Sequence, residues 1–168
     1  MEGLAPQSFI DGTRHHDEES GEAVSRIPLG ALAPPGTFLD LAPLHLLTTA
    51  TLDRLRELAA EAGVDADFDV RRYRPNLLLE ASGDGFAEDA WVDREVGIGD
   101  ARLSVSMLAM RCVMTTLAQR DLGPDVDTLR TIARHHRREI AGLGTWACAG
   151  VYASVTQAGT VRVGDELG

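Results

Sequence analysis

The stretch ARLSVSML, Ala101 to Leu108, constrains the fold more than any other part of the chain. Leu103, Val105 and Met107 fall on one parity; Arg102, Ser104 and Ser106 fall on the other. Side chains alternate across a β-strand, so the pattern predicts a strand with one face in a core and one in water. Such a strand needs partners at its edges and a layer over its apolar face. Two further stretches offer them. GVYASVTQAGTVRVGDEL, from Gly150, reads as a hairpin of two β-branched runs joined near Gly159. FDVRRYRPNLLLEA, from Phe68, reads as a strand that is bulged or at an edge at Pro75, which cannot donate a ladder hydrogen bond.

Two helices are expected between them. In TLDRLRELAAEAG, Leu52, Leu55, Leu58, Ala59 and Ala62 share one face, Thr51 can cap the start and Gly63 can end it. In DVDTLRTIARHHRREI, Leu129, Ile132, Ala133, His136 and Ile140 form one stripe, with Asp127 as cap and His136 as a satisfied, partly buried histidine. GIGDAR reads as a turn, and PLGALAPPGTF, from Pro28, as a loop. Residues 1–23 are polar and acidic and form an N-terminal arm, in which adjacent His15 and His16 point to no specific metal site. The expectation is an α+β domain over 24–168, with its strands curled into a mixed β-barrel and two main helices.

Composition narrows the function. The chain has 168 residues, enough for one domain with a real core, and carries a net charge of −10. That balance disfavours nucleic acid, whose phosphates demand a basic surface. No apolar run is long enough for a membrane helix, and the first residues lack a signal-peptide pattern. Two distant cysteines argue against a disulfide framework and for the cytoplasm. All 16 basic residues are arginine. Without lysine the chain cannot form a pyridoxal Schiff base, nor carry the phosphate-loop lysine.

Three polar clusters remain. RRYRPN would place Arg72, Arg74 and Asn76 on one strand face, a cradle for an anion if acidic neighbours do not neutralise it. MRCVMTT sets Cys112 beside Arg111, Thr115 and Thr116, where a thiolate is a nucleophile or a soft metal ligand. Cys148, among apolar and small neighbours, suits a packed role. EDAW, Glu88 to Trp91, pairs two acids with an aromatic. No zinc spacing, nucleophile elbow or dinucleotide loop is present.

The order of these clusters resembles the MOSC family, the molybdenum cofactor sulfurase C-terminal domain. R-x-R-P-N, E-D-x-W, I-G, R-C-x-x-T, G-x-Y and a closing V-G-D follow one another over residues 68–168, and PLHLLTTATLDRL extends the likeness to about residue 37. The resemblance implies a mixed β-barrel and a molybdenum–pterin cofactor (Mo-molybdopterin). In relatives such as the amidoxime-reducing enzymes, the cysteine of R-C-x-x-T ligates molybdenum, which maps to Cys112. The Arg and Asn of R-P-N contact the cofactor, which maps to Arg74 and Asn76. Arg72 gains a purpose beside the pterin phosphate, Arg111 would favour the deprotonated sulfur, and Thr48, Thr49 and Thr115 are candidate polar contacts.

The implied activity is reduction of an N-hydroxylated small-molecule substrate, with a separate electron-donor protein. The alternatives are a sulfur-transfer module, with Cys112 as persulfide carrier and a separate sulfur donor, or a non-catalytic cofactor carrier. Two departures stand out. Larger relatives carry an N-terminal subdomain that helps enclose the cofactor and supplies a lysine. This chain has a short acidic arm instead, which leaves the cofactor more exposed, enclosed by a homodimer partner, or absent. LAQRDLGPDVD also departs from the aspartate-rich loop expected after R-C-x-x-T.

Overall fold

The computed structural model describes residues 41–168 and, before them, only the antiparallel backbone pairing of β1 (His15–His16) with β2 (Ala23–Val24). The expectations for the 1–23 arm, the His15 and His16 side chains and the Pro28 loop lie outside the described residues.

From Leu44 the chain runs through β3 (Leu44–Thr48) directly into α1 (Thr49–Glu61). Thr48 rather than Thr51 is the N-cap, its hydroxyl accepting from the Thr51 amide. Gly63 follows the helix at φ 68, as its sequence position suggested. The next segment corrects the strand expectation. Val70–Arg72 is a 3-10 turn capped by Asp69, and Arg74 sits at φ 54 in the left-handed region. Only Leu77–Leu79 is extended, as β4, parallel to β3. Pro75 precedes that strand, so no ladder hydrogen bond is demanded of it.

A short helical turn (Ala87–Trp91) leads to β5 (Glu95–Ile98), a tight turn at Gly99 and Asp100, and β6 (Ala101–Met110). On β6, Leu103 and Val105 are buried and Arg102, Ser104 and Ser106 exposed, as the alternation requires. After a 3-10 turn (Val113–Thr116) comes α2 (Val126–His135), whose cap is Asp125, accepting from the amides of Asp127 and Thr128. The helix is shorter than its apolar stripe implied. His136 leaves the helical region, and Arg137–Ile140 becomes β7, paired with the start of β8 (Gly144–Gln157). The predicted C-terminal hairpin is also corrected: β8 is one long strand, and the run after Gly159 is not extended. Its Val163 is fully exposed; Thr160 O accepts from the Asp100 amide, Gly168 exchanges backbone hydrogen bonds with Gly97, and Leu167 bridges to Ile98.

The main sheet has the order β4-β3-β8-β6-β5, with β7 on β8. Only β3–β4 is parallel; the other pairs are antiparallel. The sheet curls into a half-barrel, so the fold is α+β. Leu46, Val96, Ile98, Leu103, Val105, Val151 and Ala153 form one core cluster. Leu47, Leu55, Phe68, Tyr73, Ile132, Ala147 and Ala149 form another, with α1 and α2. Ala149 and Val151 have the same parity yet serve different clusters. The cause is a bulge: Leu108 and Met110 on β6 face Val151 and Cys148 on β8, so β8 carries one extra residue there. Gly150 lies in that bulge at φ 86, where a Cβ would stand 2.4 Å from His45 Nε2.

Candidate functional site

That close approach sets His45 beside Arg111, just past the end of β6. β6 ends at Met110, and the Arg111 amide continues the ladder by donating to Ala147 O at 2.8 Å. Extended residues alternate, so Arg111 turns inward and Cys112 outward. The Arg111 guanidinium donates to Tyr73 O (3.1 Å) and Ala109 O (3.3 Å) and meets His45 Nε2 at 3.1 Å. Among the described residues it has no carboxylate partner. Burial draws its pKa below the ordinary value. Burial, and then the Arg111 charge, pull His45 down to about 3. The imidazole is therefore neutral, with Nε2 free to accept from Arg111. This buried strut ties the end of β6, which leads into Cys112, to Tyr73, which leads into Arg74.

Asn76 is fixed against the same strand. His45 N donates to Asn76 Oδ1 at 2.7 Å, and Asn76 N donates to His45 O at 2.8 Å. With Oδ1 engaged, the Asn76 NH2 group is the end left for a ligand. Arg74, Pro75, Asn76, Leu78, Met114, Arg120 and Leu122 line one open cavity of roughly 720 Å3, with Val70, Arg71, Gln119 and Asp121. Arg71 is neutralised there by Asp69 and Asp121. Arg74 and Arg120 are exposed and have no side-chain partner among the described residues. Cys112 is also exposed, two residues before Met114 of the lining. Its carbonyl accepts from the Thr115 amide and hydroxyl, while its thiol makes no capping bond.

The structure sorts the sequence candidates. Arg74 and Asn76 share the cavity; Cys112 is exposed and does not line it, although Met114, two residues on, does. Arg72 does not share a face with them: it is buried, donating to Gly123 O (2.9 Å) and Leu117 O (3.5 Å) and pairing with Asp67. The strand that would have aligned it is a 3-10 turn, which sends it the other way. Arg111 is the buried strut. Thr48 and Thr51 donate to the buried Glu88 carboxylate at 2.6–2.8 Å, which sits at the α1 N-terminus where the helix dipole favours an anion. Thr49 exchanges hydrogen bonds with Ala81. Thr115 serves the Cys112 carbonyl. Asp89, the other acid of EDAW, meets His136 Nε2 at 3.0 Å, while His136 Nδ1 lies 2.7 Å from Cys148 O and its ring stacks on Phe86. His136 is thus the satisfied core histidine its position suggested. His45 and Arg120 escaped the sequence reading. A histidine inside an apolar strand run was the available signal for the first; the second had none beyond a polar loop.

A curled mixed sheet thus carries two unpaired guanidiniums on one cavity and an exposed thiol close in sequence to its lining. A family model for the MOSC domain matches residues 34–168, and the chain belongs to that family. It is similar to mitochondrial amidoxime-reducing component 1 of Mus musculus, 31% identical over 134 residues, covering 77% of this chain and 37% of that protein. Mitochondrial amidoxime reducing component 2 of Homo sapiens is 30% identical over 136 residues, covering 77% and 38%. Mitochondrial amidoxime-reducing component 1 of Xenopus laevis is 30% identical over 135 residues, covering 77% and 37%. The chain thus spans little more than a third of the length of these relatives. Among the described residues no helix is long and apolar enough to cross a membrane.

Proposed function

We propose that this chain binds a molybdenum–pterin cofactor and, with it, reduces N-hydroxylated small molecules. The observation that carries the reading is the cavity itself: Arg74 lines it unpaired, and the exposed, free Cys112 lies two residues before Met114 of the lining. The donor set fits the group. No cluster of three His, Cys, Asp or Glu side chains able to hold a metal occurs among the described residues. That suits a metal held mainly by an organic cofactor, with one soft thiolate from the protein. The anionic phosphate of a pterin matches the guanidinium wall.

The reaction class is N–OH + 2 e⁻ + 2 H⁺ → N–H + H2O. The bound cofactor supplies the oxygen-atom transfer and the redox change. Cys112 offers the thiolate ligand, and Arg74 with the Asn76 NH2 orients the phosphate end. The Arg111–His45 strut holds these two segments in register, and a separate protein donates the electrons. Protein from a molybdenum-replete host tests the reading. Stoichiometric molybdenum and pterin, with turnover of a hydroxylamine by an artificial donor, are expected; their absence overturns it. The exposed, unbonded Cys112 thiol favours a second reading, sulfur transfer, for which a persulfide on Cys112 in molybdenum-free protein is the distinguishing product.

A further inference from the structure

Several arginines of this chain are spent on its own acids or carbonyls. Arg54, Arg56, Arg71 and Arg130 pair with carboxylates. Other guanidiniums among the described residues have no such partner. Arg74 is one, and Arg120 is another on the same cavity.

The loop that carries Arg120 is held in place with unusual care. Gln119 and Leu122 exchange backbone hydrogen bonds at 2.9 and 2.8 Å, closing a two-residue turn with Arg120 at φ 51. The Gln119 side chain donates to Met114 O at 3.0 Å. Buried Arg72 donates to the carbonyls at both feet of the loop, Leu117 and Gly123, and Arg71 grips Asp121 at its tip. Two adjacent arginines thus fasten a loop whose third arginine is left free. This is also the segment where the sequence departs from the family pattern, so nothing in that likeness assigns Arg120 a role.

We propose that Arg120 is a second anion-binding arm, closing with Arg74 on the phosphate of an organic phosphate whose apolar body lies against Pro75, Leu78, Met114 and Leu122. The charges match: a phosphate monoester carries about −1.5 to −2 near pH 7, and two guanidiniums from different elements supply +2 with forked donors. The inference rests on the cofactor reading for the identity of the phosphate, not for the clamp. Arg72 acts through the loop and is a positioning residue.

The test uses the cofactor-free chain and calorimetric binding of phenyl phosphate, with inorganic phosphate for comparison. Arg120→Asn removes the charge while placing a residue that tolerates positive φ, so the melting temperature should hold or rise. Binding of phenyl phosphate should weaken at least tenfold, as in Arg74→Gln, and Arg120→Lys should restore part of it. Wild-type affinity in Arg120→Asn, or no binding by the unaltered chain, overturns the clamp. Failure of the cofactor reading looks different: phenyl phosphate still binds through Arg120 while protein from a molybdenum-replete host holds no pterin. Conversely, pterin content unchanged by Arg120→Asn, with phenyl phosphate binding weakened, keeps the clamp and rejects the pterin phosphate as its ligand.

Discussion

The Arg111–His45 strut has a thermodynamic signature. His45 is 6% exposed, and its folded pKa is lowered from 6.5 to about 3, by burial first and Arg111 second. The unfolded chain therefore takes up a proton below pH 6.5 that the folded chain refuses. Stability from this group is fully present above pH 6.5 and is lost as pH falls towards 3. Between pH 7 and pH 5 the linkage integral gives a loss of about 2 kcal/mol, and any folded value below 4 gives the same figure. Urea unfolding at pH 5, 6 and 7 measures it. His45→Gln keeps an acceptor for Arg111 but no titrating ring. It should lower stability at pH 7, yet remove about 2 kcal/mol of the dependence between pH 7 and pH 5. Comparing the two proteins cancels the carboxylates, which are common to both. An equal pH dependence in both would refute the neutral strut and, with it, the account of how Arg111 is satisfied.

Other outcomes follow from the same contacts. Arg72→Met should cost about 2 kcal/mol in urea unfolding, because it strands the Leu117 and Gly123 carbonyls. It should also weaken phenyl phosphate binding without touching the ligand. Tyr73 has a buried hydroxyl without a hydrogen-bond partner among the described residues, so Tyr73→Phe should be neutral or raise stability by up to about 1 kcal/mol. In cofactor-free protein, iodoacetamide should label Cys112 far faster than Cys148, which is buried and whose thiol burial pushes up to about 11.

The legible parts of the fold are those where local pattern and tertiary demand agree. The alternation of Leu103 and Val105 becomes the buried face of β6, and the Leu52–Leu55–Ala59 stripe becomes the buried face of α1. The misread parts are those where a long-range partner decides. Arg137–Ile140 has helical spacing but is claimed by β8 as a strand, and Val161 to Val163 has strand propensity but forms no strand, the β5 edge being met by Leu167 and Gly168 instead. Motif and chemistry together singled out Arg74 and Asn76, which line one cavity. Their neighbour Arg72 does not, because the left-handed Arg74 and the 3-10 turn before it destroy the two-residue period. Arg120 was hidden because its place on the cavity wall and its lack of a partner are things a sequence does not display. His45 needed the Gly150 bulge, seven residues before the end of β8, to reach Arg111.

The central claim is that Cys112 is the protein's ligand to a cofactor held at the Arg74–Asn76 cavity. It is tested most directly by Cys112→Ser and Cys148→Ser proteins prepared in a molybdenum-replete host, with molybdenum, pterin and hydroxylamine turnover measured on each sample. Serine nearly preserves size but replaces a soft thiolate by a hard, weakly acidic hydroxyl. Cys112→Ser should fold, retain pterin through Arg74 and Asn76, and lose turnover per molybdenum by orders of magnitude, whereas Cys148→Ser should retain it. Full turnover per molybdenum in Cys112→Ser would contradict the account.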